Sequence, residues 1–170
     1  MIKIGDTLPA TILMEYVEVQ GNGCSLGPNP VHVAQATAGK TIALLAVPGA
    51  FTPTCSAQHL PGFLEKAAEI KAAGADEIWC VAVNDAFVMG AWAREQKTDG
   101  KVRMLADGDA AFAKATGLTL DLNGKGLGLR SNRYSMLVKD GKVVQLNIEA
   151  PGKFDVSDAS TLLAQMTAGT

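Results

Sequence analysis

Cysteine is scarce in this chain: three residues, Cys24, Cys55 and Cys80, an odd number with no close pair. That count and spacing disfavour a disulfide scaffold and any CxxC zinc or thioredoxin-type motif. The two histidines, His32 and His59, stand far apart and no cysteine cluster joins them, so no metal site is expected. Charge of one sign is also missing. The net charge of -2 and the lack of a basic run give no reason to expect nucleic acid. Apolar runs such as TIALLAV are far too short to cross a bilayer, which argues against a membrane span. The opening MIKIGDTLPATI lacks the apolar stretch and small-residue cleavage site of a secretory signal, so a cytoplasmic location is the expectation. No repeat, low-complexity tract or charged tail marks a boundary. With 170 residues, 48% hydrophobic and 19% charged, one globular domain over 1–170 is expected.

What is present is an alternation of strand-like and helix-like segments. ILMEYVEV alternates as a strand and QGNG after it is turn chemistry, while SLGPNP reads as loop. TIALLAV, 41–47, is a continuous apolar run of the kind buried on both faces of a sheet. A helix is predicted from Cys55 to about Ala73, with Leu60, Phe63, Leu64, Ala67 and Ile70 at helical spacing and Gly74 as its stop. Pro61 lies inside that pattern and predicts a kink or a break. DEIWCVAV is a second buried strand, AFVMGAWAREQK a helix, KVRMLAD a third strand and GDAAFAKATG a short helix. YSMLVKDGKVVQLNI predicts a hairpin about Asp140-Gly141. A last helix begins near Ser157, with Ser157 or Asp158 as its N-cap. The predicted fold class is therefore α/β: a mixed central sheet flanked by helices, the order of a thioredoxin-like fold with an N-terminal β extension. In such sheets, sites form beyond the carboxyl ends of strands, where a strand hands over to a helix. Cys55 stands at such a handover.

A thiol is a poor nucleophile until it ionises, and a free one is only a few per cent thiolate at neutral pH. The unpaired N–H groups of a helix start favour an anion there, by at most about 2 kcal/mol. Thr52, three positions earlier, is spaced to donate its hydroxyl to the sulfur. A hydrogen bond to a charged group contributes roughly 1.5–3 kcal/mol. An isolated cysteine near a helix start is ordinarily a small buried residue, but PGAFTPTC argues for more. Pro48 and Pro53 stiffen the loop, and Gly49 permits backbone geometry that other residues avoid. A stiff loop ending in Thr-x-x-Cys suits presentation of a sulfur better than filling of a core.

PGAFTPTC resembles the PxxxTxxC active-site motif of peroxiredoxins, and VPGAFTPTCSAQHLPGF is similar to that of their type II (Prx5-class) subfamily. The resemblance continues through VNDAFVMGAW, KVRMLAD and RSNRYSMLVKDGKV, from about Gly39 to Ile148. It implies a thiol-dependent peroxidase that reduces hydrogen peroxide and small alkyl hydroperoxides without metal, heme or flavin. By position, Cys55 corresponds to the peroxidatic cysteine, which attacks the peroxide and becomes a sulfenic acid. Thr52 corresponds to the threonine that bonds sulfur and peroxide, and Pro48 to the proline that shields the thiolate from water. Arg133, just before Tyr134, corresponds to the catalytic arginine, with Arg130 as the competitor. A fixed guanidinium there favours the thiolate and offers donors to the breaking O–O bond.

The sulfenic acid must then be attacked by another thiol. Cys80, in the second buried strand, reads first as a packed core thiol, with the role of resolving cysteine as its alternative. Relatives that form an intramolecular disulfide carry another cysteine where this chain has Ser157, so the resemblance favours a one-cysteine cycle. The partner would be glutathione, glutaredoxin or thioredoxin. Cys24 has no counterpart. His59, one turn after Cys55, is open between a general base and a locally bonded side chain. Phe51, Phe87, Met89 and Trp92 are open between pocket, partner surface and core. The resemblance also suggests a homodimer that pairs through the face bearing the active-site loop. A peroxide sensor uses the same motif, whereas a thiol–disulfide oxidoreductase is disfavoured by the lack of a second cysteine near Cys55.

Overall fold

The computed structural model describes residues 1–17 and 26–168. Strands β1 (Ile12–Val17) and β2 (Gly27–His32) pair antiparallel, and a short helix α1 (Val33–Thr37) leads into β3 (Thr41–Val47). A π-helical turn, Cys55–His59, runs into α2 (Leu60–Glu65) and α3 (Ala67–Ala72). Next come β4 (Glu77–Ala82), α4 (Ala86–Gln96), β5 (Arg103–Ala106) and α5 (Ala111–Thr116). The chain ends with β6 (Thr119–Leu122), β7 (Gly128–Ser131), β8 (Tyr134–Lys139), β9 (Lys142–Ile148) and α6 (Ala159–Thr167). The main sheet has the order β2-β1-β5-β4-β3-β8-β9, with β6 and β7 forming a separate pair. Strands β3, β4 and β5 run parallel, and β8 returns antiparallel on β3.

The continuous apolar character of β3 follows from burial on two faces. Ala43, Leu45 and Val47 point into one core with Phe63, Ile70, Trp92 and Leu162. Ile42, Leu44 and Ala46 point into a second, with Trp79, Phe112, Tyr134 and Met136. Strand side chains alternate between faces, so one apolar run feeds both layers. Each large apolar side chain so buried stabilises the fold by roughly 1.5–3 kcal/mol.

The hairpin at Asp140-Gly141 forms as predicted, with both residues at positive φ (49° and 78°) as a two-residue turn of that hand requires. Helix α6 is capped by Asp158, whose carboxylate accepts from Thr161 N. Three expectations change. The stretch read as the loop SLGPNP contains a strand from Gly27 onward. Pro28 and Pro30 stand two residues apart on the outermost strand, so both missing N–H groups fall on one side and the ladder tolerates them. The segment 119–131, to which no element was assigned, forms the β6–β7 pair. The single helix predicted from Cys55 is three pieces. Pro61 lacks an N–H, and its ring would crowd the carbonyl four residues back, which favours the wider π turn just before it. In that turn Leu60 N bonds Cys55 O, five residues apart. Lys66, at φ -99° and ψ 10°, separates α2 from α3.

Candidate active site

Residues 48–54 leave the carboxyl end of β3 and deliver Cys55, fully buried, to the start of the π turn. The loop is braced at several points. Ala50 N donates to Asn84 Oδ1 at 2.9 Å. Arg130 donates from Nη1 to Pro48 O (3.4 Å) and Val83 O (3.3 Å), and from Nε to Leu127 O (2.8 Å). A Cβ at Gly49 would lie 2.9 Å from Arg130 Nη1, so a glycine here lets the guanidinium reach the loop. Thr52 Oγ1 donates to Gly49 O at 2.7 Å, so its proton is directed into the loop and not at the sulfur, contrary to expectation. Ser56 is held from α4, by Trp92 Nε1 on its hydroxyl (3.0 Å) and Gln96 Nε2 on its carbonyl (3.3 Å).

The group that reaches the sulfur is Arg133, from just before β8. Its Nη2 donates to Cys55 Sγ at 3.0 Å, and its Nη1 lies 2.9 Å from His59 Nδ1. Arg130, the competitor, serves the loop. A guanidinium can only donate, so Nδ1 of His59 accepts. The proton of the neutral ring therefore sits on Nε2, which donates to Ser157 O at 2.9 Å. Burial first, and then the Arg133 charge, lower the His59 pKa from 6.5 to about 3. This neutral ring positions the arginine and does not act as a base toward the cysteine. Phe154 covers the pair, with its ring centroid 5.0 Å from that of His59 and 5.9 Å from the Arg133 guanidinium. Of the two readings open for His59, the structure shows the locally bonded side chain, with Arg133 and Ser157 as its partners. Phe154 is not among the residues singled out from the sequence. The spacing of His59 from Cys55 was the one signal available.

Over this group opens a cleft of about 710 Å³, walled by Pro48, Thr52, Arg133 and Phe154 and by Leu120 and Leu122 of the β6–β7 pair. The wall opposite the loop thus comes from the segment to which the sequence assigned no element. Leu120, Leu122, Leu127 and Phe154 make much of the lining apolar, and Asp121, Lys125 and Lys153 add charge to it beside Arg133.

The remaining candidates lie elsewhere. Cys80 is fully buried in the middle of β4, paired with Leu45 and Met104. Burial, and then the neighbouring Cys55, push its thiol well up, with Arg133 opposing. A thiol so placed is a poor nucleophile while the sheet is intact. Cys24 lies outside the described residues. Ser157 is buried, its hydroxyl on Glu149 Oε2 at 2.7 Å. Met89 and Trp92 belong to the core, whereas Phe51 and Phe87 are 49% and 64% exposed. Phe51 adopts a positive φ of 64° beside Trp92, ring centroids 6.4 Å apart. No helix among the described residues is long and apolar enough to cross a membrane.

The state of His59 has a thermodynamic consequence. The unfolded ring takes a proton near pH 6.5, while the folded one stays neutral down to about pH 3. Its contribution to stability is thus fully present above pH 6.5 and lost as pH falls toward 3. The slope approaches one proton, about 1.4 kcal/mol per pH unit. Urea unfolding at pH 6 and pH 5, above the carboxylate range, should show that loss in the native protein. A His59→Gln variant should lack it. Equal slopes in the two proteins would mean that the ring is not held neutral.

Comparison with known proteins places this geometry in a family. The Redoxin family model matches residues 3–163. The chain is 44% identical to Peroxiredoxin-2B of Arabidopsis thaliana, over 95% of this chain and 96% of that protein. It is 47% identical to the chloroplastic Peroxiredoxin-2E-2 of Oryza sativa subsp. japonica, over 95% of this chain and 71% of that one. Among solved structures, reduced Prx3 from Vibrio vulnificus in complex with H2O2 superposes with a TM-score of 0.90 at 48% identity, covering 98% of this chain and 99% of that one. The mixed sheet flanked by helices is thus a thioredoxin-like fold, and the chain belongs to the Redoxin family and, within it, to the peroxiredoxins.

Proposed function

We propose that this peroxiredoxin is a thiol-dependent peroxidase that reduces hydrogen peroxide and small alkyl hydroperoxides at Cys55. The observation that carries the reading is the Arg133 guanidinium, with one nitrogen on the sulfur at 3.0 Å and the other fixed on His59. In the first step the Cys55 thiolate attacks one peroxide oxygen and the O–O bond breaks. The sulfur, oxidised by two electrons, becomes sulfenic acid, and the other oxygen leaves as hydroxide or alkoxide and takes up a proton. Arg133 offers donors to the sulfur and to the oxygen that gains charge. Pro48 walls the sulfur from bulk water. Thr52, whose proton is committed to Gly49 O, presents its hydroxyl lone pairs to the peroxide O–H. No electron needs to pass through a metal or a bound cofactor.

In the second step an external thiol attacks the sulfenic sulfur, water leaves, and a mixed disulfide remains. A further thiol releases reduced Cys55. Glutathione with glutaredoxin, or thioredoxin, supplies these thiols in a reducing compartment such as the cytoplasm. The burial of Cys80 supports this one-cysteine cycle over an internal disulfide. Exposed Phe51 and Phe87, on the side of the active-site loop and α4, support pairing of two copies there.

Intact mass after one equivalent of peroxide and then glutathione tests the cycle. One added glutathione at Cys55 is the expected product. A Cys55–Cys80 disulfide, two hydrogens lighter than the reduced chain, would overturn it.

A further inference from the structure

Glu149 follows β9 and is only 4% exposed, yet among the described residues no lysine or arginine forms an ion pair with it. Its carboxylate instead gathers one segment of chain. Oε2 accepts from Asp155 N (2.9 Å), Val156 N (2.8 Å), Ser157 N (2.8 Å) and Ser157 Oγ (2.7 Å), and Oε1 from Asp155 N (2.9 Å). Three successive N–H groups converging on one oxygen form an anion-binding nest, here filled by the protein's own carboxylate. Its backbone N–H donates to Arg133 O at 2.9 Å, so Glu149 is tied to the residue that carries the guanidinium.

The bonds close into a ring. From the Arg133 backbone they run to Glu149, through its carboxylate to Ser157, from Ser157 O to His59 Nε2, and from His59 Nδ1 back to Arg133 Nη1. We propose that Glu149 is a positioning residue for peroxide reduction: by fixing the Ser157 carbonyl, it selects the His59 tautomer that aims Arg133 at Cys55. A neutral imidazole can carry its proton on either nitrogen. Only a well-placed acceptor at Nε2 keeps Nδ1 free to receive Arg133. With the proton on Nδ1, the ring would present a donor to a donor, and the guanidinium would turn from the sulfur. Ser157 lies between β9 and α6, outside the sheet ladders, so its carbonyl depends on the carboxylate nest for its place. This rests on the reading of Arg133 as the partner of the reacting sulfur.

The test pairs nitrogen NMR of the ¹⁵N-labelled His59 ring with stopped-flow oxidation of Cys55 by hydrogen peroxide, in the native protein, Glu149→Gln and Glu149→Asp. The native ring should be a single tautomer protonated at Nε2. In Glu149→Gln the amide oxygen can replace Oε2, but the charge is lost and the NH2 meets the Asp155 N–H. The nest then loosens, the tautomers should mix and oxidation should slow about tenfold to a hundredfold. Glu149→Asp, which keeps the charge, should restore both in part. The kcat/KM for the thiol reductant should stay unchanged, because that thiol reacts only after Cys55 has been oxidised. A single Nε2–H tautomer in Glu149→Gln overturns the proposal whatever the rate, and so does a native oxidation rate. Should Glu149→Gln fail to fold, Ser157→Ala removes the hydroxyl contact alone. A smaller shift of both readouts in the same direction is then expected, and no shift in either overturns the proposal. The tautomer is read without turnover, so a native protein that consumed no peroxide would sink the peroxidase reading separately.

Discussion

Cys55→Ser is expected to reduce peroxide consumption to the level of buffer, with far-UV circular dichroism and thermal midpoint close to native. The reason lies in the element exchanged. The reaction oxidises the attacking atom by two electrons, and an alcohol oxygen has no counterpart to sulfenic acid. Serine is also essentially un-ionised at neutral pH and has no neighbouring base here, since His59 Nδ1 is committed to Arg133. The fold should persist because the site is filled by a group of nearly the same volume, and Arg133 can donate to an oxygen as readily as to sulfur. The cost is the shrinkage of one buried atom and the transfer of a hydroxyl into a core position, about 1–3 kcal/mol. Cys80→Ser is the control. It removes a thiol that burial has made inert, so the first oxidation of Cys55 should proceed at the native rate. Residual turnover in Cys55→Ser, abolished only when Cys80 is also replaced, would show that the two cysteines have been assigned in the wrong order.

The parts of this fold that could be read from the residues are those where one physical signal dominates. Strand β3 declares itself because seven residues without a polar interior position can only lie between two layers. The Asp140-Gly141 turn declares itself because few residue pairs accept two positive φ angles. Strand β2 does not, because Gly27, Pro28, Asn29 and Pro30 have poor strand propensity. Only the partner β1, and an outer edge on which missing N–H groups are harmless, make it a strand. The β6–β7 pair escapes notice for a similar reason. Its strands are short, and its turn, Asn123-Gly124-Lys125-Gly126-Leu127, reads as loop. The π turn is equally hidden: helical spacing is legible, but a widening by one residue depends on how Pro61 meets the backbone before it.

The site divides along the same line. Cys55, Thr52 and Pro48 sit in eight consecutive residues whose stiffness and chemistry can be read together. Arg133 is distant in sequence, and only the antiparallel pairing of β8 on β3 brings it over the sulfur, with Ala46 opposite Tyr134. The resemblance found it; the spacing alone could not separate it from Arg130. His59, Ser157 and Glu149 act through bonds between segments 98 and 8 residues apart, a network that no local pattern encodes.

Arg133→Ala should slow the oxidation of Cys55 by peroxide about a hundredfold to a thousandfold, the loss typical when a single preorganised donor is removed from a developing charge. Trp92, bonded to Ser56 next to the reacting sulfur, provides the fluorescence signal for stopped-flow measurement. Arg133→Lys should recover only part of the rate. An ammonium is a point charge and cannot hold the His59 nitrogen and the sulfur at two fixed angles as the planar fork does. Arg130→Ala should cost much less, because that guanidinium braces the loop through carbonyls and does not touch the reacting atom. The Arg133 charge is also a cause of the low His59 pKa, second to burial, so its removal should let the ring take its proton at higher pH. The gap between folded and unfolded rings then narrows, and the acid-induced loss of stability above pH 3 should shrink in the same variant. A native oxidation rate in Arg133→Ala beside a crippled Arg130→Ala would transfer the catalytic role to the other arginine. A slowed Arg133→Ala whose acid stability profile matched the native one would instead separate the arginine's effect on sulfur from its hold on the histidine.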